Sequence, residues 1–166
     1  MHLEFEEPMK IARLIVLFTL TFSLFAGADP FVGLWKLDAE RSKFQKGAPG
    51  FFFATIQIES AGPGLKSNAS AADGEGISSD FMFNCQLDGT PCKVTASLKT
   101  KSVVDTTTMQ RLDANTIVAT GTKNGKVVYT DRRVVSADGK TMTVARSGTT
   151  TAGKHYESTI VLERLP

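Results

Sequence analysis

Few side chains in this sequence are of the kind that does covalent chemistry, and those few are not spaced for it. Apart from His2, His155 is the only histidine. A lone histidine late in a small β-rich chain could ligate haem iron. Here it stands beside Lys154 and close to Gly153, as at an exposed turn, and no further ligands of metal-binding spacing accompany it. Serines and threonines abound, but strand-facing hydroxyls are ordinary, and one histidine beside Tyr156 does not make a triad. Asp38, Glu40, Glu59, Asp80 and Asp105 have no spacing that pairs them for acid–base work. The expectation is a protein that is not an enzyme, with no metal and no cofactor.

Two other residue types remain to be placed. Cys85 and Cys92 flank Gln-Leu-Asp-Gly-Thr-Pro, and Asp88-Gly89 is a strong two-residue hairpin turn. Pairing across that turn sets Cys85 opposite Cys92 and leaves Pro91 where its missing N–H does no harm. A Cys85–Cys92 disulfide is expected, against the alternative of two reduced, buried cysteines. Arg146 shares a strand face with Met142 and Val144 and is a possible interior cation, although such residues more often sit at a strand end and snorkel outward.

The elements that would position these groups begin after a leader. Ile11 to Phe25 is almost wholly apolar and ends at Ala26-Gly27-Ala28, whose first and third small residues suit a signal peptidase. Glu4, Glu6 and Glu7 are wrong for an n-region, whereas Met9-Lys10 followed by Arg13 fits, so translation is expected to start at Met9. The apolar run is shorter than the roughly 20 residues a membrane span needs. Cleavage would leave a domain at 29–166, exported to the periplasm or beyond the cell, with no stable membrane anchor. An exported compartment is oxidising, which favours the disulfide.

The full chain of 166 residues carries 19 basic and 17 acidic residues, a net charge of +2. The charges are interspersed and no basic run marks a nucleic-acid partner. From Phe31 onward the chain alternates strand-like stretches with turns. Phe51 to Ser60 alternates faces residue by residue, Ser102 to Leu112 is dense in β-branched residues, and Asn124-Gly125 and Asp138-Gly139 are further hairpin turns. Asp38 to Gly50 is polar and holds at best one helical turn. About ten strands at regular spacing predict an all-β chain. Short connections favour an up-and-down antiparallel β-barrel, with a sandwich second.

Phe31 to Leu37 (F-V-G-L-W-K-L) resembles the opening of intracellular fatty-acid-binding proteins, and Gly33-x-Trp35 is the short signature shared by the calycin superfamily, lipocalins included. V-V-Y-T-D-R-R-V-V-S-A-D-G-K-T-M-T-V and S-T-I-V-L-E-R resemble the family's last strands. The overall likeness is to exported bacterial lipocalin-like proteins. It covers the first strand and about the last third of the chain. The resemblance implies a barrel holding a lipid-like molecule, with Gly33 and Trp35 plugging one end and Arg164 as a cation–π lid over the tryptophan or, alternatively, a solvated terminal residue.

Matching the Gly125-Lys126 turn puts Arg132 at the family's interior arginine, on a face with Val128, Thr130 and Val134. A one-residue slip would exchange it with Arg133. An interior arginine needs an anion or a fixed water network. Where the family places a second arginine and a tyrosine, this chain has Ile160 and Leu162, so those two join the ligand wall and a fatty-acid clamp is not implied. Two functions follow. One is a binding module for a small apolar or amphipathic molecule. The other is a structural or protein-interaction barrel with a filled core, using Phe51-Phe52-Phe53 on a partner whose identity the sequence does not give.

Overall fold

The computed structural model describes residues 28–46, 48, 50, 53–72, 78–96, 104–150 and 152–166. The leader to residue 27 and two of the three clustered phenylalanines, Phe51 and Phe52, lie outside them. Among the described residues the regular elements are all strands: β1 (Gly33–Phe44), β2 (Phe53–Ala61), β3 (Gly64–Ala72), β4 (Ser78–Gln86), β5 (Cys92–Lys93), β6 (Thr95–Ala96), β7 (Thr106–Asp113), β8 (Thr116–Lys123), β9 (Lys126–Val135), β10 (Thr141–Thr149) and β11 (His155–Arg164). They form one antiparallel sheet in the order β5-β7-β8-β9-β10-β11-β1-β2-β3-β4-β6.

Turn chemistry drives the meander. Asn124 and Gly125 both take positive φ, 49° and 73°, as the two-residue turn joining β8 and β9 requires. The pairing of β11 on β1, which joins the two ends of the described chain, sets Trp35 opposite Arg164 and Leu37 opposite Leu162 and rolls the sheet into a barrel. Alternation then decides what faces inward. Trp35, Ile58, Leu65, Ile117, Met142 and Leu162 are all buried and pack one end solid.

Two elements differ from the expectation. The polar stretch after Leu37 continues as strand to Phe44. Its four residues Ala39 to Ser42 lie against Ile160 alone, a bulge between the Asp38–Val161 and Lys43–Thr159 pairs. Side chains knit that bulge. Ser42 Oγ donates to the Asp38 carbonyl at 2.6 Å and accepts from Val161 N at 2.9 Å. The expected strand from Cys92 divides at Val94: β5 pairs with β7, while β6 crosses to pair with β4.

The seam between β4 and β7 therefore closes without a regular ladder among the described residues. Leu87 O accepts from Arg111 N, Gly89 N donates to Met109 O, and Val94 N donates to Asp105 O, each at 2.9–3.0 Å. The Cys85–Cys92 disulfide adds a covalent tie, with a Cα–Cα distance of 5.3 Å. It does not sit in the paired hairpin that the sequence predicts, since Cys85 pairs with Leu65 and Cys92 with Thr107. The bridge links the two edges of the seam instead. For so short a loop the chain-entropy cost of losing it is about 2–3 kcal/mol. The double variant Cys85→Ser/Cys92→Ser should lose about that much in urea unfolding. A midpoint equal to wild type would show that the hydrogen bonds alone hold the seam.

Candidate functional site

The inward face of β9 is set by one extra residue. Thr122 pairs with Val127 and Gly121 with Tyr129, so Val128 has no partner on β8 and the strand's parity flips there. Beyond it Tyr129, Asp131, Arg133 and Val135 face inward, while Thr130, Arg132 and Val134 face out. Arg132 is exposed. This corrects the expectation that Arg132 points into the barrel with Val128, Thr130 and Val134 as its wall. A parity that depends on a bulge cannot be set from the turn alone. Ile160 and Leu162 do face inward and are buried.

The flip assembles a charged cluster. Asp131 is completely buried, and Arg146 grips it with Nε and one Nη at 2.7 and 2.8 Å. Arg133 donates to the same carboxylate at 3.1 Å. The Arg146 and Arg133 side chains are only 15% and 11% exposed, so Arg146 does not snorkel out. Burial pushes the Asp131 carboxyl up, but the charge and hydrogen bonds of Arg146, then of Arg133, outweigh it and hold the group below its ordinary value. Arg146 is raised, since its own burial is outweighed by Asp131.

Two tyrosines floor the cluster. The Arg146 guanidinium lies 4.3 Å from the Tyr129 ring centroid. Inward rows on β8 to β11 read Gly121, Tyr129, Gly148, Tyr156. A Cβ at Gly121 would sit 2.5 Å from the Tyr129 ring, and one at Gly148 would sit 2.7 Å from the Tyr156 hydroxyl. The bare glycines are what let both rings lie along the wall. Burial raises both phenols, so they are neutral near pH 7.

Three buried polar atoms near this interior lack a hydrogen-bond partner: Arg133 Nε, Ser158 Oγ and, on β3, Ser67 Oγ. Ser158 belongs to the same inward row as Arg146 and Asp131. On the other wall Ile56, Ala69, Phe81 and Phe83 alternate with outward residues yet stay only half-buried. Of these, Ile56 and Phe83 pack against the core cluster. A groove of about 510 Å³ where β1 leaves β11, between Lys43 and Glu157, reaches the charged cluster, since Arg146 and Ser158 line it.

The opposite end is shut. Trp35 is fully buried and its Nε1 donates to Phe31 O at 2.9 Å. The Arg164 guanidinium lies 4.3 Å from the Trp35 ring and binds the carbonyls of Pro30, Val32 and Gly139. Gly33, at φ 144°, leaves room for it, since a Cβ there would overlap the guanidinium. His155 is exposed and lies 3.8 Å from Glu157.

This closed end, the first-to-last strand pairing and the bridged seam make an all-β antiparallel barrel with a fatty-acid-binding-protein-like fold. A similar solved structure is the crystal structure of zebrafish ileal bile acid-binding protein complexed with cholic acid, with a TM-score of 0.50 over 82% of this chain and 99% of that one. At 8% identity that likeness is one of fold. No protein-family model and no curated protein matches the sequence.

The sequence offers Arg133 only as the alternative to Arg132 one register away, and it does not mark Asp131, Tyr129 or Tyr156 as ligand-site residues. The available signal was the polar run Tyr129, Asp131, Arg133 at alternate positions, which on a strand is one face.

Proposed function

We propose that the protein is an exported binding barrel that holds a small amphipathic molecule in its half-open interior. The observation that carries this reading is the buried cluster of one carboxylate against two guanidiniums, with Arg133 Nε left unpartnered. A buried donor without a partner costs about 1–3 kcal/mol, a cost that a ligand oxygen would remove. The half-exposed Ile56, Ala69, Phe81 and Phe83 offer the apolar counterpart. Pockets of this composition take ligands by shape plus a few polar anchors. The zebrafish neighbour with cholic acid supports the same class of cargo. A barrel serving only as a structural or interaction module would have those inward faces covered.

The leader at 1–28, cleaved to leave the barrel at 29–166, belongs to this proposal. Intact mass of the secreted product should give an N-terminus at Asp29.

Native mass spectrometry against a panel of long-chain acids tests the binding. Arg133→Ala should weaken a retained acid about tenfold or more, the scale of one lost charge-assisted hydrogen bond. Arg132→Ala should leave it unchanged. Loss on Arg132→Ala with retention on Arg133→Ala would overturn the site, and no adduct under any condition would overturn the function.

A further inference from the structure

We infer that the Cys85–Cys92 bridge is a redox latch on the seam between β4 and β7. Oxidised, it holds the barrel wall shut. Reduced, it lets the two edges part and a small molecule pass through the side. This inference rests on the binding reading above and concerns how that site is reached.

The seam is built to open alone. β5 meets β7 only at Cys92–Thr107 and Lys93–Thr106, and β6 meets β4 only at Phe81–Ala96 and Met82–Thr95. Beyond these, the edges share the backbone hydrogen bonds at Leu87, Gly89 and Val94 and one isolated pair, Asp88 with Gln110. Parting them leaves the ladders of β1 to β4 and of β7 to β11 whole on either side. Loss of a few bonds while the rest of the fold persists is a sub-global opening.

The bridge is what forbids it. The Cys85 and Cys92 Cα atoms lie 5.3 Å apart, and a disulfide cannot span much more than about 7 Å. Once it is reduced, the seven residue steps between them allow about 23–25 Å. The bridge also lies where an opening reaches the interior. Cys85 pairs with Leu65 and Cys92 with Thr107, both buried and inward. The row from Cys92 and Thr107 continues through Gly121, Tyr129 and Gly148 to Tyr156, the floor of the charged cluster.

Reduction is thiol–disulfide exchange with a dithiol. Cys85 is 1% exposed, whereas Cys92 is half-buried between the exposed Pro91 and Lys93, so the Cys92 sulfur is the one attacked. The incoming thiolate bonds to Cys92 Sγ, the Cys85–Cys92 bond breaks, and Cys85 leaves and takes up a proton. The reductant's second thiolate then displaces Cys92, which is protonated in turn. The reductant ends as its own disulfide, having supplied both electrons.

Native-state hydrogen exchange in low urea, with and without dithiothreitol, tests the latch. The amides of Arg111, Gly89 and Val94 report the seam, and the buried Val135 amide, bonded to Asn115 O, reports the closed end. In the oxidised protein the seam amides should share the steep urea dependence of Val135. Reduction should speed them about tenfold or more beyond its effect on Val135 and remove most of that dependence, since a local opening exposes little surface. Stopped-flow mixing with anilinonaphthalenesulfonate should show entry and release both about tenfold faster after reduction at nearly constant Kd, because a gate changes rates and not affinity. Cys85→Ser/Cys92→Ser without reductant should match reduced wild type. If that variant does not fold, reduced wild type carries the test, with Trp35 emission reporting its fold. Seam amides that keep the urea dependence of Val135, probe rates that do not change, or global unfolding on reduction would each overturn the latch. A probe that binds neither form, with seam amides that still respond, brings down the binding reading while upholding the latch on the wall.

Discussion

Replacing Asp131 with alanine should cost about 3–5 kcal/mol of folding stability and lower the melting temperature by about 10–20 °C in a domain of this size. The magnitude comes from what is left behind. Asp131 is fully buried, and its removal strands Arg146 and Arg133 inside the barrel without their carboxylate. An unpaired buried guanidinium cannot shed its charge as a carboxyl can. Arg146→Ala should be similarly damaging, since it leaves the carboxylate held by Arg133 alone. A double-mutant cycle between Asp131→Ala and Arg146→Ala should show coupling of about 2 kcal/mol or more, because the second substitution removes a charge the first had orphaned. Additive losses would mean that the two side chains contribute through packing and not as an ion pair.

The pH dependence of the same variant has a definite sign. The folded-state pKa of Asp131 lies below its ordinary value of 3.8. Its contribution is therefore fully present above the unfolded value and is lost as pH falls through the folded one. Wild type and Asp131→Ala should differ by a constant amount from pH 7 to pH 5, and the gap should narrow by about 1 kcal/mol by pH 3. A gap that widened on acidification would contradict the ion pair.

How far the sequence foretold these features depends on whether each signal was local. Asn124-Gly125 and Asp138-Gly139 announce their turns because positive φ is a local demand. Antiparallel order follows from such turns, and Gly33-x-Trp35 marks the closed end through its family resemblance, which leaves Arg164 open between a lid and a solvated terminal residue. The inward face of β9 was not legible in the same way. Tyr129, Asp131 and Arg133 alternate with Thr130, Arg132 and Val134, so both faces carry a charge and hydrophobic alternation cannot choose between them. The choice is made by the bulge at Val128, which exists only relative to β8. The seam is a similar case. Whether the chain after Cys92 stays on one edge or crosses at Val94 depends on β7 and β4, which are distant in sequence.

At the closed end, Trp35→Ala should be the other large loss, about 3–5 kcal/mol, as expected for truncating a fully buried aromatic ring. The ring does more than fill space. It presents its face to Arg164, whose guanidinium joins three carbonyls from two separate segments, Pro30 and Val32 before β1 and Gly139 in the β9–β10 turn. Removing the ring leaves a cavity and takes away the surface on which that cation rests. Arg164→Lys should cost less, about 1–2 kcal/mol, because an ammonium keeps the charge but lacks the planar fork needed to reach all three carbonyls. Trp35 is the chain's one tryptophan, so its emission reports on this end alone. It should be blue-shifted and resistant to acrylamide in wild type, and red-shifted in Arg164→Lys. The closed end and the charged cluster share no partner, so Arg164→Lys and Asp131→Ala should add to within about 0.5 kcal/mol. A larger departure would mean that the lid and the interior charges form one cooperative unit, and that charge introduced by a ligand would be felt at Trp35.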